Sequence, residues 1–304
     1  MRWKKLGRIF APPTDLDWMV GYAAVPIARR LDGDRYRVYF SGRDVENRSQ
    51  VGYFELRLSD PTRTLKVSAR PVLGHGEPGR FDDSGAMAAS LVERPGGRLL
   101  LYYVGWNRGH AVPFYNSIGL AVSDDGGETF QRASIAPIVP RDELDPCFTA
   151  GPVVRVEGAQ WRLWYLSCVR WERTAAGPKH YYNIRYAESA DGLRWRKHPT
   201  PVIDFAGPGE YAISQPYVLR DGALYKMWYS HRGESYRIGY ATSPDGVHWQ
   251  RRDADAGIDV SPEGWDSESI EYACVIDHDG RRYLFYNGNR FGQTGVGLAV
   301  LEAD

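Results

Sequence analysis

The chain has 304 residues, 43% of them hydrophobic, and 38 Lys plus Arg stand against 38 Asp plus Glu. A formal net charge of zero excludes a general polyelectrolyte attraction to nucleic acid or to a membrane surface, so any anion preference must come from local clustering. No apolar run is long enough for a membrane span, and the basic residues 1–5 lack the apolar stretch of a signal peptide.

The predicted elements follow in chain order. The opening Trp3-Lys4-Lys5 resembles three later pieces, Phe130-Gln131-Arg132, Trp195-Arg196-Lys197 and Trp249-Gln250-Arg251, each placed as an outer strand. A unit of about 60 residues then recurs five times. Its first strand runs into a tight turn, at Asp32-Gly33, Pro95-Gly96-Gly97, Glu157-Gly158, Asp221-Gly222 and Asp279-Gly280, where glycine supplies positive φ. Its second strand carries an aromatic core: Val38-Tyr39-Phe40, Leu101-Tyr102-Tyr103, Leu163-Trp164-Tyr165, Met227-Trp228-Tyr229 and Leu284-Phe285-Tyr286, about 57 to 64 residues apart. Its third strand holds Val51-Gly52-Tyr53, Ile118-Gly119-Leu120, Ile184-Arg185-Tyr186, Ile238-Gly239-Tyr240 and Val296-Gly297-Leu298.

After three of these third strands comes a polar turn. Residues 123–130 fit the Asp-box pattern S-x-D-x-G-x-x-[WF], and residues 189–195 and 243–249 are shorter versions, with a structural role through side-chain bonds to turn amides. The last unit stops after its third strand, so the N-terminal segment is expected to supply its missing outer strand. Self-similarity at a fixed period signals a repeat architecture. The expected fold is all-β: a five-bladed β-propeller of four-stranded antiparallel blades, one domain over residues 1–304, its ring closed by the N-terminal strand joining the last blade.

The hairpin face of such a ring has short, uniform turns, and the opposite face has long, unequal loops, where function belongs. Aligning the first strands on Ser90, Pro152, Pro216 and Ala273 places Asp83, Asp145 and Asp266 seven residues earlier in three blades and Glu210 close to that place in the fourth. Glu268 and Glu271 add two acids to the fifth blade, whereas the first blade brings Met19 and no acid. Paired carboxylates suit glycoside cleavage, because repulsion raises one pKa and separates an acid from a nucleophile or base. The same acids could instead cap strand ends or pair with nearby arginines.

Every second strand leads into a loop with an arginine: Arg43, Arg108, Arg170, Arg232 and Arg290, with His231 beside one of them. If they do not neutralise the acids, their forks suit an anionic sugar. Trp106 and Tyr22 reach the same face, where aromatic rings can stack on sugars. No His/Cys cluster has metal-ligand spacing, and no cofactor is expected. The three scattered cysteines, Cys147, Cys168 and Cys274, fit a reducing compartment, so a cytoplasmic location is expected.

The fivefold repeat, with Asp83, Asp145-Pro146 and Glu210 at successive first strands, resembles the propeller glycosidases. These are the glycoside hydrolase families of invertase, levansucrase and arabinanase, with the mannoside phosphorylases as relatives. The resemblance implies Asp83 as nucleophile or base, Asp145 as transition-state stabiliser and Glu210 as general acid. Glu268, Glu271, Asp266 and the mouth arginines would position substrate. The first blade departs from the family, reading Trp18-Met19-Val20-Gly21-Tyr22 where a Trp-Met-Asn-Asp-Pro signature would stand. The expected function is that of a glycoside-active, hydrolase-like enzyme working on a small anionic saccharide or sugar conjugate, with no nucleic-acid or membrane partner. A glycoside phosphorylase, a non-hydrolytic biosynthetic enzyme on the same propeller and a non-catalytic carbohydrate-binding propeller are the alternatives.

Overall fold

Twenty strands and two single-turn helical pieces make up the computed structural model, which describes residues 1–302. The first antiparallel meander joins β2 (Gly21–Asp32), β3 (Arg35–Arg43), β4 (Ser49–Arg57) and β5 (Lys66–Val67). The second joins β6 (Gly85–Glu93), β7 (Leu99–Arg108), β8 (Phe114–Ser123) and β9 (Gln131–Arg132). The third joins β10 (Phe148–Glu157), β11 (Gln160–Thr174), β12 (Gly177–Ser189) and β13 (Arg196–Lys197). The fourth joins β14 (Ala212–Asp221), β15 (Leu224–Arg232), β16 (Tyr236–Ser243) and β17 (Gln250–Arg251). The fifth joins β18 (Glu271–His278), β19 (Arg281–Asn287) and β20 (Val296–Leu301), and its outer place is taken by β1 (Trp3–Phe10), antiparallel to β20.

Single parallel bridges, Ser49 with Gly85 and Tyr182 with Ala212, fuse these meanders pairwise, so the hydrogen-bonded sheets have eight, eight and four strands. None of the three sheets closes on itself among the described residues.

The aromatic pairs of the second strands are fully buried, and they do two different jobs. The first member reaches the next meander. Tyr39 and Tyr102 donate to the carbonyls of Gly127 and Gly192 at 3.1 and 3.0 Å, and Trp164 Nε1 donates to Gly246 O at 2.8 Å. Those carbonyls belong to the polar turns, where Asp125, Asp191 and Asp245 each accept two backbone N–H groups. The turns are thus structural anchors for the neighbouring aromatic. Side chains of this size each bury on the order of 150–250 Å² and dominate the packing between meanders. Third-strand glycines make room for rings: a Cβ on Gly119 would lie 2.5 Å from the Tyr103 ring, and one on Gly297 would lie 2.3 Å from Trp265.

Each first strand carries a register shift at the same level, at Ala24/Ile27, Ala88/Ser90, Ala150/Val153, Ser214/Tyr217 and Glu271/Cys274. In four of them a residue adopts left-handed backbone: Val25, Gly151, Gln215 and Tyr272, with φ of 56°, 51°, 42° and 58°. A bulge frees an N–H from the ladder, and a buried N–H needs an acceptor. The preceding meander supplies it: Ala88 N donates to Ser41 Oγ, Tyr272 N to Ser230 Oγ and Val25 N to Asn287 Oδ1, at 3.0, 2.8 and 2.8 Å. The last of these bonds ties the fifth meander to the first.

Candidate functional site

The four left-handed bulge residues all line one cavity of about 570 Å³. Arg43, Arg108 and Arg232, each at the end of a second strand, share its wall, and no Asp or Glu does. Their partners are neutral. Arg43 donates to Asn47 Oδ1 at 2.9 Å and lies over the rings of Tyr22 and Trp106, 5.0 and 5.9 Å from their centroids. Arg108 donates to the Glu46 carbonyl, and Arg232 to the Glu234 carbonyl at 3.3 Å. None of the three makes a carboxylate salt bridge among the described residues. Burial pushes the Arg43 pKa down from its ordinary value, a sign that its charge is desolvated. A guanidinium desolvated as that of Arg43 is, and without a carboxylate partner, attracts an anion more strongly than it would in water.

Around them the wall is aromatic. Trp106 Nε1 donates to Ser49 Oγ at 2.6 Å, which fixes the indole plane. His180 stacks on Tyr182 with centroids 4.7 Å apart. Burial first, then Arg232 and Lys179, lower the His180 pKa to about 4, so it offers a neutral imidazole at pH 7. The Tyr182 and Tyr236 hydroxyls hydrogen-bond each other at the cavity edge.

The acids lie elsewhere. Tyr103 donates to Asp82 Oδ2 at 2.9 Å, and Arg132 of β9 donates to the same oxygen at 2.7 Å. Tyr165 donates to Asp145 Oδ2 at 3.0 Å, and Lys197 of β13 meets that oxygen at 2.5 Å. Tyr286 donates to Asp266 Oδ2 at 3.0 Å, with Lys5 of β1 at 2.7 Å. In the fourth meander Tyr229 donates to Asp253, and Arg251 of β17 bridges Asp253 and Glu210, at 2.6 and 2.7 Å. Four second-strand tyrosines are therefore each fastened to an acid, and each acid to the base of an outer strand.

Phe40, in the first meander, has no hydroxyl, and there Met19 packs beneath Gly42 and Trp18 beneath Gly52.

Of the residues singled out from sequence, Asp83, Asp145 and Glu210 do not line the cavity. Asp83 accepts from Asn107 Nδ2, Ser84 Oγ and Gly79 N, and these bonds outweigh burial to lower its pKa. Glu210 also contacts His231 Nδ1 at 2.9 Å; burial opposes ionisation, but Arg251 and His231 outweigh it and hold the carboxyl at about 2. Arg170 lies over Tyr181 and meets Glu172 at 3.9 Å, while Arg290 meets the exposed Glu268 at 3.8 Å; neither arginine lines the cavity. Tyr22 sits under Arg43 with left-handed backbone, at φ 65°.

Glu271 differs from the tyrosine-bound acids in meeting no Lys or Arg among the described residues. It is wholly buried, its Oε1 accepts the Phe291 N–H at 2.7 Å, and its Oε2 has no hydrogen-bond partner. Burial pushes its pKa up to about 8. It is the sequence neighbour of the cavity-lining Tyr272 and binds the backbone of the cavity-lining Phe291, and Phe291 and Arg290 are consecutive left-handed residues. No group of three or more His, Cys, Asp or Glu is placed to hold a metal ion among the described residues.

Sequence reasoning placed His180 near the mouth arginines but missed Asp82, Gln215, Tyr236 and Tyr272. The tyrosine–acid separations are 21, 20 and 20 residues in the second, third and fifth meanders, so Asp82 lies one residue off the common spacing. Counting back 20 residues from Tyr103 falls on Asp83, one residue past the acid that Tyr103 meets, so spacing alone does not select Asp82.

No family model matches this chain. It is 46% identical over 302 residues to "Uncharacterized protein Rv1502" of Mycobacterium tuberculosis, covering 99% of this chain and 100% of the relative. The chain belongs to the Rv1502 family. Among solved structures, this Rv1502-family chain superimposes on a glycoside hydrolase with a TM-score of 0.78 at 21% identity, covering 99% of this chain and 92% of that one. A glycosyl hydrolase from Bacteroides ovatus matches with a TM-score of 0.71 at 12% identity, covering 99% and 90%. A thermostable family-43 glycoside hydrolase matches with a TM-score of 0.66 at 14% identity, covering 96% and 91%. The Rv1502-family chain has the fold of the propeller-type glycoside hydrolases.

Proposed function

We propose that this protein recognises a small anionic saccharide or sugar conjugate in the cavity and acts on its glycosidic bond. The observation that carries the reading is the set of three arginines, Arg43, Arg108 and Arg232, in a wall without a carboxylate. The scaffold in this proposal is one five-bladed propeller domain, its ring closed where β1 joins β20 and Asn287 meets Val25. A cytoplasmic location is part of the proposal, supported by the three free cysteines.

Glu271 is the proton donor in this reading. It is the buried carboxyl beside the cavity with an uncommitted oxygen, and a group held neutral at pH 7 can protonate a leaving oxygen. Phe291 has to swing aside for it to reach the bond. Asp83, Asp145 and Glu210, the trio implied by the glycosidase resemblance, here hold the loops that carry the site.

One observation favours a second reading, a non-catalytic saccharide-binding protein: no acid faces the cavity as it stands. Turnover decides. Aryl glycosides and anionic sugars are incubated with and without inorganic phosphate, with wild type and Glu271→Gln. Product from wild type, lost in Glu271→Gln with ligand affinity kept, supports the enzyme. Product only with phosphate marks a phosphorylase. Binding without product under any condition leaves the binding protein.

A further inference from the structure

The cavity wall is chemically divided. Met87, Val104, Phe114, Phe148 and Leu166 line it on one side, and all five belong to a single hydrophobic cluster of the second and third meanders. The cations come from the first, second and fourth meanders. The third has an arginine at the corresponding place, Arg170, but its guanidinium lies 3.7 Å over the Tyr181 ring and stays out of the cavity. What the third meander presents instead is hydrocarbon, the neutral His180 and Tyr182, whose hydroxyl is engaged by Tyr236.

Building on the anionic-saccharide reading, the geometry points to a ligand class: an anionic sugar joined to a flat or apolar group, with that group seated on the wall from Met87 to Leu166. A sugar hydroxyl turned toward this wall would lose its water partners and gain none, and an unpaired polar group on burial is costly. An aryl ring, a nucleobase or an alkyl chain loses nothing there and gains by leaving water. The wall is also held in place before any ligand arrives. Phe114 packs against Phe148 and Trp171 with centroids 5.6 and 5.5 Å apart, so little ordering is left to binding. The volume, about 570 Å³, lies in the range of small-molecule sites and accommodates more than one ring.

Two pairs of probes test this by calorimetry on the whole protein: glucuronic acid against 4-nitrophenyl β-glucuronide, and glucose 1-phosphate against UDP-glucose. The expected result is that in at least one pair the conjugate binds about tenfold or more tighter than its parent. Which pair responds separates an aryl from a nucleobase source. Met87→Gln, close to isosteric at a half-buried position, narrows that margin by about threefold or more. Parents that bind as tightly as both conjugates overturn the inference and leave the anionic-saccharide reading standing; the wall then takes only the C–H face of a plain sugar. A margin unmoved by Met87→Gln, in a variant whose melting temperature shows it folded, also overturns it. Binding of none of the four probes removes the anionic-saccharide reading and this inference with it.

Discussion

Tyr165 donates to Asp145 Oδ2 at 3.0 Å while Lys197 holds the same oxygen at 2.5 Å, and the Lys197 side chain is only 8% exposed. The contact ties the loop before a first strand to the second and outer strands of one meander. It gives Asp145 a structural duty, independent of any ligand. Removing the charge strands Lys197 with Asp142 as its remaining acid. Asp145→Asn should therefore cost about 3 kcal/mol, and Tyr165→Phe about 1 kcal/mol. Urea melts of the two variants check the order of these losses.

The same logic makes a prediction for the meander that lacks the acid. Phe40 is fully buried and packs against the rings of Phe10 and Trp18. Phe40→Tyr should destabilise by about 2 kcal/mol, because the new hydroxyl is buried unpaired. If the variant is as stable as wild type, the tyrosine–acid contact is not what distinguishes the other four meanders.

Glu271 sets an unusual pH dependence. Its carboxyl is raised from 4.5 to about 8 in the folded protein, so between these values the folded state holds a proton that the unfolded state has released. Its contribution is complete below pH 4.5 and is lost as pH rises through 8; the shift corresponds to ~5 kcal/mol as an upper bound. Glu271→Gln should remove this slope. Melting temperatures of wild type and variant from pH 5 to 8 should diverge in favour of the variant as pH rises.

Glu210 works in the opposite direction. Its pKa is lowered from 4.5 to about 2, so its contribution is present above pH 4.5 and lost as pH falls toward 2. Glu210→Gln should cost about 2 kcal/mol at pH 7, leaving Arg251 to Asp253 alone, and should be less sensitive to acid than wild type. Denaturation at pH 7 and pH 3 compares the two.

Much of this was legible in the sequence because it repeats with the backbone. The aromatic strands, glycine turns and Asp boxes declare the meanders, and the third residue of each outer piece, Lys5, Arg132, Lys197 and Arg251, is the base that meets an acid. Arg43, Arg108 and Arg232 follow from their offsets to the aromatic strand, since the strand end fixes where the loop starts, and Trp106 from its aromatic side chain at the same mouth. The direction of the carboxylates was not legible. Whether Asp145 faces a channel or its own tyrosine depends on side-chain contacts across 20 residues, which spacing alone does not encode. The bulge residues were hidden as well: Val25 and Tyr272 adopt left-handed backbone without being glycine, imposed by register and by acceptors on the preceding meander.

Titration calorimetry with glucuronic acid, glucose 6-phosphate and glucose, on wild type, Arg232→Gln and Asp145→Asn at one ionic strength, tests the central claim most directly. The expected result is that an anionic sugar binds and glucose does not, that Arg232→Gln weakens the anion by about tenfold or more, and that Asp145→Asn keeps it. Glucose binding as well as the anions, or anion binding that survives Arg232→Gln and disappears in a folded Asp145→Asn, would contradict the account.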